Sequence, residues 1–244
     1  MLYDDEMSET TLVVPCYNEE ARLDPARFRA LLDMSGFALM FVDDGSTDAT
    51  PEILAGLRRN DRRASVLRLH ANVGKGEAVR LGMVDALARG ARVVGYADAD
   101  LSTPPEELVR LHGALLASDA AAVTGARVAL MGREIVRRHW RHYTGRVFAT
   151  FASMVLRAPY YDTQCGAKFF RRSALLERAL RGSFASRWAF DVELLGRILS
   201  EAQCIEVPLM RWEHSDGSKL GMASMLRATA ELAIIESRLR RWRR

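Results

Sequence analysis

The chain has 244 residues and a formal net charge of +4, with 49% hydrophobic and 27% charged residues, which suits a globular protein with a sizeable core. Its three cysteines lack Cys-x-x-Cys spacing, so the composition favours neither a disulfide framework nor a zinc cluster. Residues 1–10 are acidic and lack the layout of a signal peptide. The longest uncharged apolar run, Val147 to Leu156, is about half of the roughly 20 residues that a spanning helix needs. We therefore expect a protein of a reducing cytosol that does not cross a bilayer by itself.

Short apolar runs alternate with helical patterns through the first half of the chain. Thr11 to Pro15 predicts a buried strand, and Asp24-Pro25 predicts the cap and first turn of a helix that ends near Met34. The alternation continues with a strand over 38–42, a helix from 50, a strand over 65–69, a helix to 88, a strand over 91–97, a helix capped by Thr103-Pro104 and a strand over 120–125. This order predicts βαβ units, a mainly parallel sheet and ligands beyond the carboxyl ends of its strands.

The regular alternation of strands and helices ends in the second half of the chain. We predict helices over about 134–156, 173–180, 186–200 and 221–240, a loop over 160–166 and a last short strand over 205–208. No linker, repeat or low-complexity segment separates two independent domains, so we expect one domain.

Two acidic residues, Asp98 and Asp100, follow the apolar run that ends at Ala97. Because successive strand side chains point to opposite faces, residues i and i+2 share a face and both carboxylates address one cation. Mg²⁺ and Mn²⁺ prefer oxygen ligands and keep positions for phosphates. The pair therefore indicates a clamp for a nucleotide diphosphate, although short acidic triplets are also common in turns.

Other polar motifs follow the neighbouring predicted strands. Pro15 and Tyr17 offer a fixed backbone and an aromatic ring for a nucleobase, or else form a simple turn. Asp43 and Asp44 present acceptors for uracil and ribose, or else form an Asx turn before a helix. The segment around Lys75, Asn-Val-Gly-Lys-Gly, lacks the full phosphate-loop pattern of ATPases, but glycines beside a lysine at a helix start hold a phosphate or ribose closely.

Together these motifs resemble the family 2 glycosyltransferases with the GT-A fold. The first-half motifs are Val-Pro-Cys-Tyr-Asn-Glu-Glu, Val-Asp-Asp-Gly-Ser-Thr-Asp, Asn-Val-Gly-Lys-Gly and Ala-Asp-Ala-Asp. In the second half, Asp-Thr-Gln-Cys-Gly at 162–166, Arg-Trp-Ala-Phe-Asp-Val-Glu at 187–193 and Gly-Ser-Lys-Leu at 217–220 resemble the dolichyl-phosphate β-glucosyltransferase branch. The resemblance covers roughly 11–220 and implies an α/β fold, a single Rossmann-like domain whose mainly parallel central sheet is flanked by helices.

The family pattern also implies roles for the matching residues. Nucleotide recognition is implied for Pro15, Tyr17, Glu19, Asp43, Asp44, Lys75 and Asp98. Asp98 and Asp100 are implied as metal ligands, with Asp100 the more direct one. Asp100, Arg127 and Asp191 are implied as catalytic, Arg127 towards the donor phosphates and Asp191 towards the acceptor. The sugar and acceptor side is implied for Asp162, Gln164, Trp188 and Lys219.

A basic and aromatic stretch from Arg133 to Arg146 precedes the apolar run 147–156. This layout suits a membrane interface at which Arg133 and Arg137 bind a lipid phosphate, or else a buried helix with a solvated charged end. The chain ends Arg-Leu-Arg-Arg-Trp-Arg-Arg, which suits anionic headgroups or equally an ordinary packed helix with a frayed tail. No nucleic-acid motif accompanies it, so we expect no nucleic-acid partner.

The resemblance implies an inverting glycosyltransferase that moves glucose from UDP-glucose to a polyprenyl phosphate with Mg²⁺ or Mn²⁺, as a peripheral protein at the cytoplasmic face of the membrane. GDP-mannose and N-acetylated sugars stay open as donor sugars. The alternatives are a hydroxyl acceptor, with Asp191 or Asp162 as base, and a noncatalytic subunit that binds nucleotide sugars. The expected organisation is a flexible N-terminus over 1–10, a GT-A domain over 11–220 with a nucleotide-binding half of about 11–125 and an acceptor half of about 126–220, and a C-terminal helix with a basic tail over 221–244.

Overall fold

The computed structural model describes the backbone of residues 9–135, 139–213 and 222–244, and the side chains of residues 9–135, 147–213 and 230–244. Its strands are β1 Thr10–Cys16, β2 Ala38–Asp43, β3 Ala64–Arg68, β4 Val93–Ala97, β5 Ala122–Ala126, β6 Glu134–Ile135, β7 Ala167–Arg171, β8 Cys204–Pro208 and β9 Arg211–Trp212. Its helices are α1 Pro25–Met34, α2 Thr50–Asn60, α3 Lys75–Ala88, α4 Pro105–Leu116, α5 His139–Leu156, α6 Ala174–Ala179, α7 Phe190–Leu199 and α8 Met222–Trp242.

Seven strands form the central sheet, in the order β3-β2-β1-β4-β7-β5-β8. All neighbouring pairs are parallel except those of β7, which runs antiparallel to both β4 and β5. The carboxyl ends of the parallel strands therefore share one edge, and β7 begins at that edge, where Ala167 pairs with Ala97. The predicted α/β fold with a mainly parallel sheet is confirmed. A separate two-stranded sheet pairs β6 with β9.

Helices cover both faces of the central sheet, which explains why its strands read as unbroken apolar runs. In β1 the side chains alternate between two buried clusters: Leu12 and Val14 belong to the cluster that includes residues of α1, α2 and α4, whereas Val13 belongs to the cluster that includes residues of α3, α7 and α8. At Gly82 a Cβ would lie 2.5 Å from Val13 Cγ1, so the absent side chain lets α3 approach the sheet. The core thus has two layers with the sheet between them.

Local sequence accounts for the first helix. Asp24 accepts a hydrogen bond from the Ala26 amide at 2.9 Å, and Pro25 supplies the preset first turn. Phe28, Leu31 and Leu32 form its buried face. The helix ends at Met34, as the sequence predicts.

Three predicted elements need correction. The stretch 134–156 is not one helix: Glu134–Ile135 is a short strand, and α5 begins at His139. The helix predicted from 186 begins at Phe190, because the Ser186 hydroxyl accepts from the amides of Trp188 and Ala189 and forms a turn. No predicted strand covers Ala167–Arg171, although β7 lies inside the sheet. Its lysine broke the apolar pattern, and the structure buries that lysine completely.

The described part of α8 packs against the protein. Leu232, Ile235 and Leu239 are buried, and Trp242 Nε1 donates to the Arg197 carbonyl at 3.2 Å. The described part of the tail is therefore a packed helix, with Trp242 half-buried against α7. Among the described helices, none combines the length and the apolar character that crossing a bilayer requires.

Candidate active site

Most of the expected site residues lie where the parallel strands end. Tyr17 and Glu19 follow β1, the aspartates Asp43 and Asp44 close β2, and Asp98 and Asp100 follow β4. Lys75 is the first residue of α3, and Arg127 follows β5. The topology therefore places the donor-side motifs at one edge of the sheet, as the sequence order predicts.

The two aspartates at the carboxyl end of β2 hold neighbouring loops of the site through backbone amides. Asp43 is buried and accepts from the Ser46 amide at 2.9 Å. Asp44 accepts from the amides of Val73 and Gly74 at 2.7 and 2.9 Å, and so holds the loop that precedes α3. Burial raises the pKa of the Asp44 carboxyl, and the two amide donors oppose that rise. Asp44 thus shapes the site through the backbone of a neighbouring loop, a role that the motif alone did not indicate.

Lys75 joins two parts of the site. Its Nζ lies 2.5 Å from Asp98 Oδ1 and 5.6 Å from the centre of the Trp188 ring. Burial lowers the pKa of the lysine, but Asp98 and Asp191 raise it by more, so the net direction is upward. The charged ammonium of Lys75 therefore lies between the Asp98 carboxylate and the ring of Trp188. Trp188 is 38% exposed.

Asp100 is fixed by the turn that follows β4. Its Oδ1 accepts from the amide and hydroxyl of Ser102 at 2.9 and 2.8 Å, and its Oδ2 lies 3.6 Å from Arg22 Nη1. Arg22 also pairs with Glu19, which connects the ends of β1 and β4. At this turn Leu101 is buried and has a φ of 45°, a conformation that costs free energy and is concentrated at functional sites.

The acidic pair fits a hard divalent cation. Asp98 and Asp100 offer carboxylate oxygens close in sequence and at one strand end, with side chains 36% and 12% exposed. Within the described ranges, no cluster of three or more His, Cys, Asp or Glu side chains is arranged to hold a metal ion. Two carboxylates are nevertheless sufficient for Mg²⁺-like ions, which take their remaining ligands from phosphates and water.

The loop 162–166 closes over Asp98. A Cβ at Gly166 would overlap the Asp98 carboxylate, so only glycine allows the backbone to approach this closely. In the same loop, the buried Gln164 Nε2 atom has no hydrogen-bond partner among the residues described. Since buried polar atoms normally have partners, this amide is a candidate donor to a bound ligand.

Arg127 and Asp162 form one bidentate ion pair. Arg127 Nε and Nη2 donate to Asp162 Oδ2 and Oδ1 at 2.7 and 2.8 Å, and the Arg127 amide donates to Oδ2 at 3.0 Å. Burial lowers the pKa of Arg127, but Asp162 raises it by more. Glu206 accepts hydrogen bonds from the amides of Tyr161 and Asp162 and so holds the start of the loop 162–166. The family pattern implies separate roles for Arg127 and Asp162, and only the structure shows that they pair.

Asp191 lies in a buried cluster. It lies in the first turn of α7 and is 4% exposed. Its Oδ1 accepts from the Tyr96 hydroxyl and from Lys168 Nζ, the latter at 2.7 Å. Burial raises the pKa of Asp191, and the nearby Lys75 opposes that rise. Burial lowers the pKa of Lys168, and Cys165 and Asp162 oppose that fall. Neither Tyr96 nor Lys168 is among the site residues expected from the sequence. A lysine inside a short apolar run, two residues after the Gln-Cys-Gly motif, was the available signal.

Of the remaining expected site residues, two lie in or after β1, one lies beside the two-stranded sheet, and two fall outside the described residues. Tyr17 is 37% exposed after β1, and Pro15 is part of that strand. Arg133 donates to the Leu209 carbonyl at 3.1 Å, beside the small sheet. Arg137 and Lys219 lie outside the described residues.

Residues 11–178 match the family model described as glycosyl transferase family 2. The chain belongs to this family. The glycosyltransferase is 33% identical to the dolichyl-phosphate beta-glucosyltransferase of Drosophila melanogaster, over 90% of this chain and 71% of that protein. The proteins of the same name from Homo sapiens and Saccharomyces cerevisiae are each 30% identical, over 90% and 95% of this chain and 72% and 75% of their own lengths. The predicted family and the predicted enzyme class, a glycosyltransferase, are confirmed.

Solved structures share the fold of this glycosyltransferase. A mycobacterial protein gives a TM-score of 0.71 at 18% identity, over 94% of this chain and 74% of that one. Glucosyl-3-phosphoglycerate synthase from Mycobacterium tuberculosis, crystallised with Mn²⁺ and UDP-glucose, gives 0.67 at 19% identity, over 94% and 78%. A Pyrobaculum calidifontis mannosyltransferase, crystallised with GDP-Man and Mn²⁺, gives 0.61 at 18% identity, over 93% and 62%. These similarities confirm the GT-A fold.

Proposed function

We propose that this glycosyltransferase moves glucose from UDP-glucose to the phosphate of a polyprenyl lipid, such as dolichyl or undecaprenyl phosphate, and inverts the sugar linkage. The observation that carries the proposal is the 30–33% identity, over 90–95% of this chain, to proteins named dolichyl-phosphate beta-glucosyltransferase. The structural neighbour crystallised with Mn²⁺ and UDP-glucose supports the choice of donor and metal.

The donor side rests on charges at the end of β4. Asp98 and Asp100 would hold Mg²⁺ or Mn²⁺, which when bound offsets the charge that develops on the departing diphosphate. Lys75 brings a further positive charge to the N-terminus of α3, where the helix dipole also favours a phosphate. The proposed nucleotide-binding set is Pro15, Tyr17, Glu19, Asp43, Asp44, Lys75 and Asp98.

The acceptor side needs orientation more than proton removal. A phosphate monoester is largely ionised at neutral pH, since its second pKa is about 6. Asp191 shares Oδ1 between Lys168 and Tyr96, an arrangement that supports an orienting carboxylate. Gln164 and Trp188 line the proposed sugar pocket, and Arg127 acts beside the donor phosphates together with its partner Asp162. We also propose that the acceptor is bound by Arg133, Arg137 and Lys219.

An exposed apolar face on α5 supports membrane attachment. Val147, Phe151 and Met154 are 57%, 46% and 68% exposed, and their spacing of four and three residues places them on one side of the helix. Basic and aromatic residues precede them in the sequence. We place the protein peripherally at the inner face of the membrane, with this side of α5 against the acyl chains.

A transfer assay tests the proposal directly. Purified protein is incubated with labelled UDP-glucose and undecaprenyl or dolichyl phosphate, with Mn²⁺, with Mg²⁺ or with EDTA. We expect a lipid-linked glucose that forms only with metal. GDP-mannose and UDP-N-acetylglucosamine serve as competing donors, and glycerol and free sugars as competing acceptors.

The same assay separates the alternatives. Transfer to a hydroxyl acceptor alone would overturn the lipid acceptor, and UDP binding without transfer to any acceptor would indicate a noncatalytic subunit. Asp191→Asn sharpens the distinction, because loss of a general base costs at least about 100-fold in rate. For an orienting carboxylate we expect a loss of about tenfold, the effect of weakening one charge-assisted hydrogen bond.

A further inference from the structure

Lys168 is a fully buried lysine at the centre of the sheet. It lies on β7, opposite Tyr96 of β4 and Thr124 of β5, and its exposure is 0%. Lysine is almost never fully buried unless it is paired, because removing an ammonium from water is costly. An apolar side chain would fill the same space without that cost, so packing alone does not account for the residue.

The ammonium of Lys168 holds two separate segments. Nζ donates to Asp191 Oδ1 at 2.7 Å, at the start of α7, and to the Cys165 carbonyl at 2.5 Å, in the loop 162–166. It also lies 5.2 Å from the centre of the Tyr96 ring, whose hydroxyl binds the same Asp191 oxygen. One buried charge therefore ties the loop, the helix and the strand β4 together.

Each tied segment carries a residue of the proposed site. Gly166 of the loop lies directly against Asp98, and Asp162 of the same loop pairs with Arg127. Just before α7, Trp188 lies beside Lys75. A shift of the Lys168 ammonium would thus displace the Asp191 carboxylate and the loop over Asp98 relative to each other.

We infer that Lys168 is a positioning residue that fixes the Asp191 carboxylate and the loop 162–166 in one relative geometry, and so aligns the acceptor with the donor. The inference rests on the proposed function for its acceptor. Because Lys168 is inaccessible to solvent, it acts through Asp191 and Cys165 and not by touching the substrate. Proper alignment matters because small misplacements of reacting groups lower rates strongly.

A double-mutant cycle with Lys168→Met and Asp191→Asn tests the inference in the full chain. We expect Lys168→Met to lower kcat for lipid-linked glucose about tenfold, while the affinity for UDP measured by calorimetry changes less than about twofold. Introduced into the Asp191→Asn protein, Lys168→Met should cause a smaller loss than in the wild type, because the ion pair with Asp191 is already gone and only the bond to the Cys165 carbonyl remains to be removed. Equal additional loss in both backgrounds would overturn the role assigned to Lys168.

Arg171→Met is the matched control on the same strand. Arg171 donates to carbonyls of Leu115 and Ser118 at the opposite end of β7, so its loss should lower the Tm without changing kcat. A fall in kcat that followed the Tm in both variants would assign Lys168 a structural role only.

Hydrogen exchange keeps the inference testable whatever the acceptor is. In Lys168→Met we expect faster amide exchange confined to residues 162–167 and 187–192, with α1 and α2 unchanged. Unchanged exchange in both segments would refute the positioning role. Absence of any transfer by the wild-type protein would instead refute the proposed function.

Discussion

Acidic side chains of the site already have cationic partners. Asp98 pairs with Lys75 at 2.5 Å, and Asp100 lies 3.6 Å from Arg22. A divalent cation or a diphosphate that binds as proposed would therefore exchange with these charged partners, and would not enter an uncharged cleft. Because these groups are partly buried, their interactions are screened less by salt than those of surface pairs. These individual ion pairs therefore set the charge that a bound cation or phosphate would meet.

Asp100→Asn should abolish most of the transfer activity without unfolding the turn. Asparagine retains the acceptor oxygen for the amide and hydroxyl of Ser102 but loses the charge that a cation needs. We expect kcat/KM to fall about 10²- to 10³-fold with an unchanged Tm, as when one electrostatic stabiliser of a transition state is removed. The control, Asp61→Asn, alters an aspartate paired with Arg63 away from this edge, and should leave activity intact. Wild-type activity in Asp100→Asn would contradict the metal-binding role.

Among the helices, α3 packs closely against the sheet because two of its residues are glycines without side chains. A Cβ at Gly82 would lie 2.5 Å from Val13 Cγ1 and 2.8 Å from Val42 Cγ2. At Gly76 it would lie 2.7 Å from Phe190 Cβ, so the first turn of α3 also fits closely against α7. These contacts set the position of Lys75 at the start of the helix. Close packing of one helix thus determines where a charge of the site lies.

Gly82→Ala and Gly113→Ala should change stability in opposite directions. The first inserts a methyl group into packed valines and should destabilise the protein by about 1–3 kcal/mol. The second lies in α4 with nothing within 4 Å of the added Cβ, and should stabilise it by about 0.5–1 kcal/mol through helix propensity. Urea unfolding of both variants measures the difference. Equal effects would show that α3 does not pack as closely as described.

For the whole molecule, burial decides which apolar residues are available for the proposed membrane contact. The tail helix α8 contributes Leu232, Ile235 and Leu239 to the core, whereas the α5 residues Val147 and Phe151 stay exposed. The two helices pack against each other, so the core and the exposed face belong to one helical layer. The surface proposed for the membrane is therefore on α5.

Phe151→Glu should weaken binding to vesicles of anionic phosphatidylglycerol. Phe151 is 46% exposed, so the change leaves the core intact while it removes the burial of one aromatic side chain in lipid, worth about tenfold in affinity or more. Leu116→Glu is the matched control, because Leu116 is 56% exposed on α4. Cosedimentation with vesicles compares them. If both variants bind equally well, α5 is not the membrane face.

Folding stability should fall in acid partly through His112. Burial and the nearby Arg171 lower the pKa of His112, whose ring contacts Phe37 and Phe169 and binds the Thr10 hydroxyl at 2.9 Å. A depressed folded-state pKa gives a stabilising contribution that is complete above the unfolded value of 6.5 and is lost as the pH falls through the folded value.

The variant His112→Gln isolates this contribution because glutamine does not titrate. Between about pH 7.5 and pH 5, the wild type should lose more free energy of unfolding than the variant, measured by urea denaturation at each pH. A parallel loss in both proteins would assign the acid sensitivity to other groups.

The sequence by itself determined the alternation of strands and helices, the family and the donor-side motifs. These features are local: a strand followed by acidic residues, or Asp24-Pro25 before a helix, carries its own physical reason. The acidic pair at 98 and 100 was identifiable because two carboxylates directly follow an apolar run, although the structure places them in the turn after β4, where strand periodicity no longer applies. Parallel pairing then gathers such motifs at one edge.

Only the tertiary structure decided which charges meet. The pairing of Arg127 with Asp162, the use of Asp44 to hold a loop, and the contact of Lys168 with Asp191 all join residues far apart in sequence. The antiparallel strand β7 escaped prediction because a lysine in a buried strand reads as a break until its partner is known. Burial makes a charge tolerable only when an opposite charge is brought to it, and that juxtaposition is a property of the folded chain.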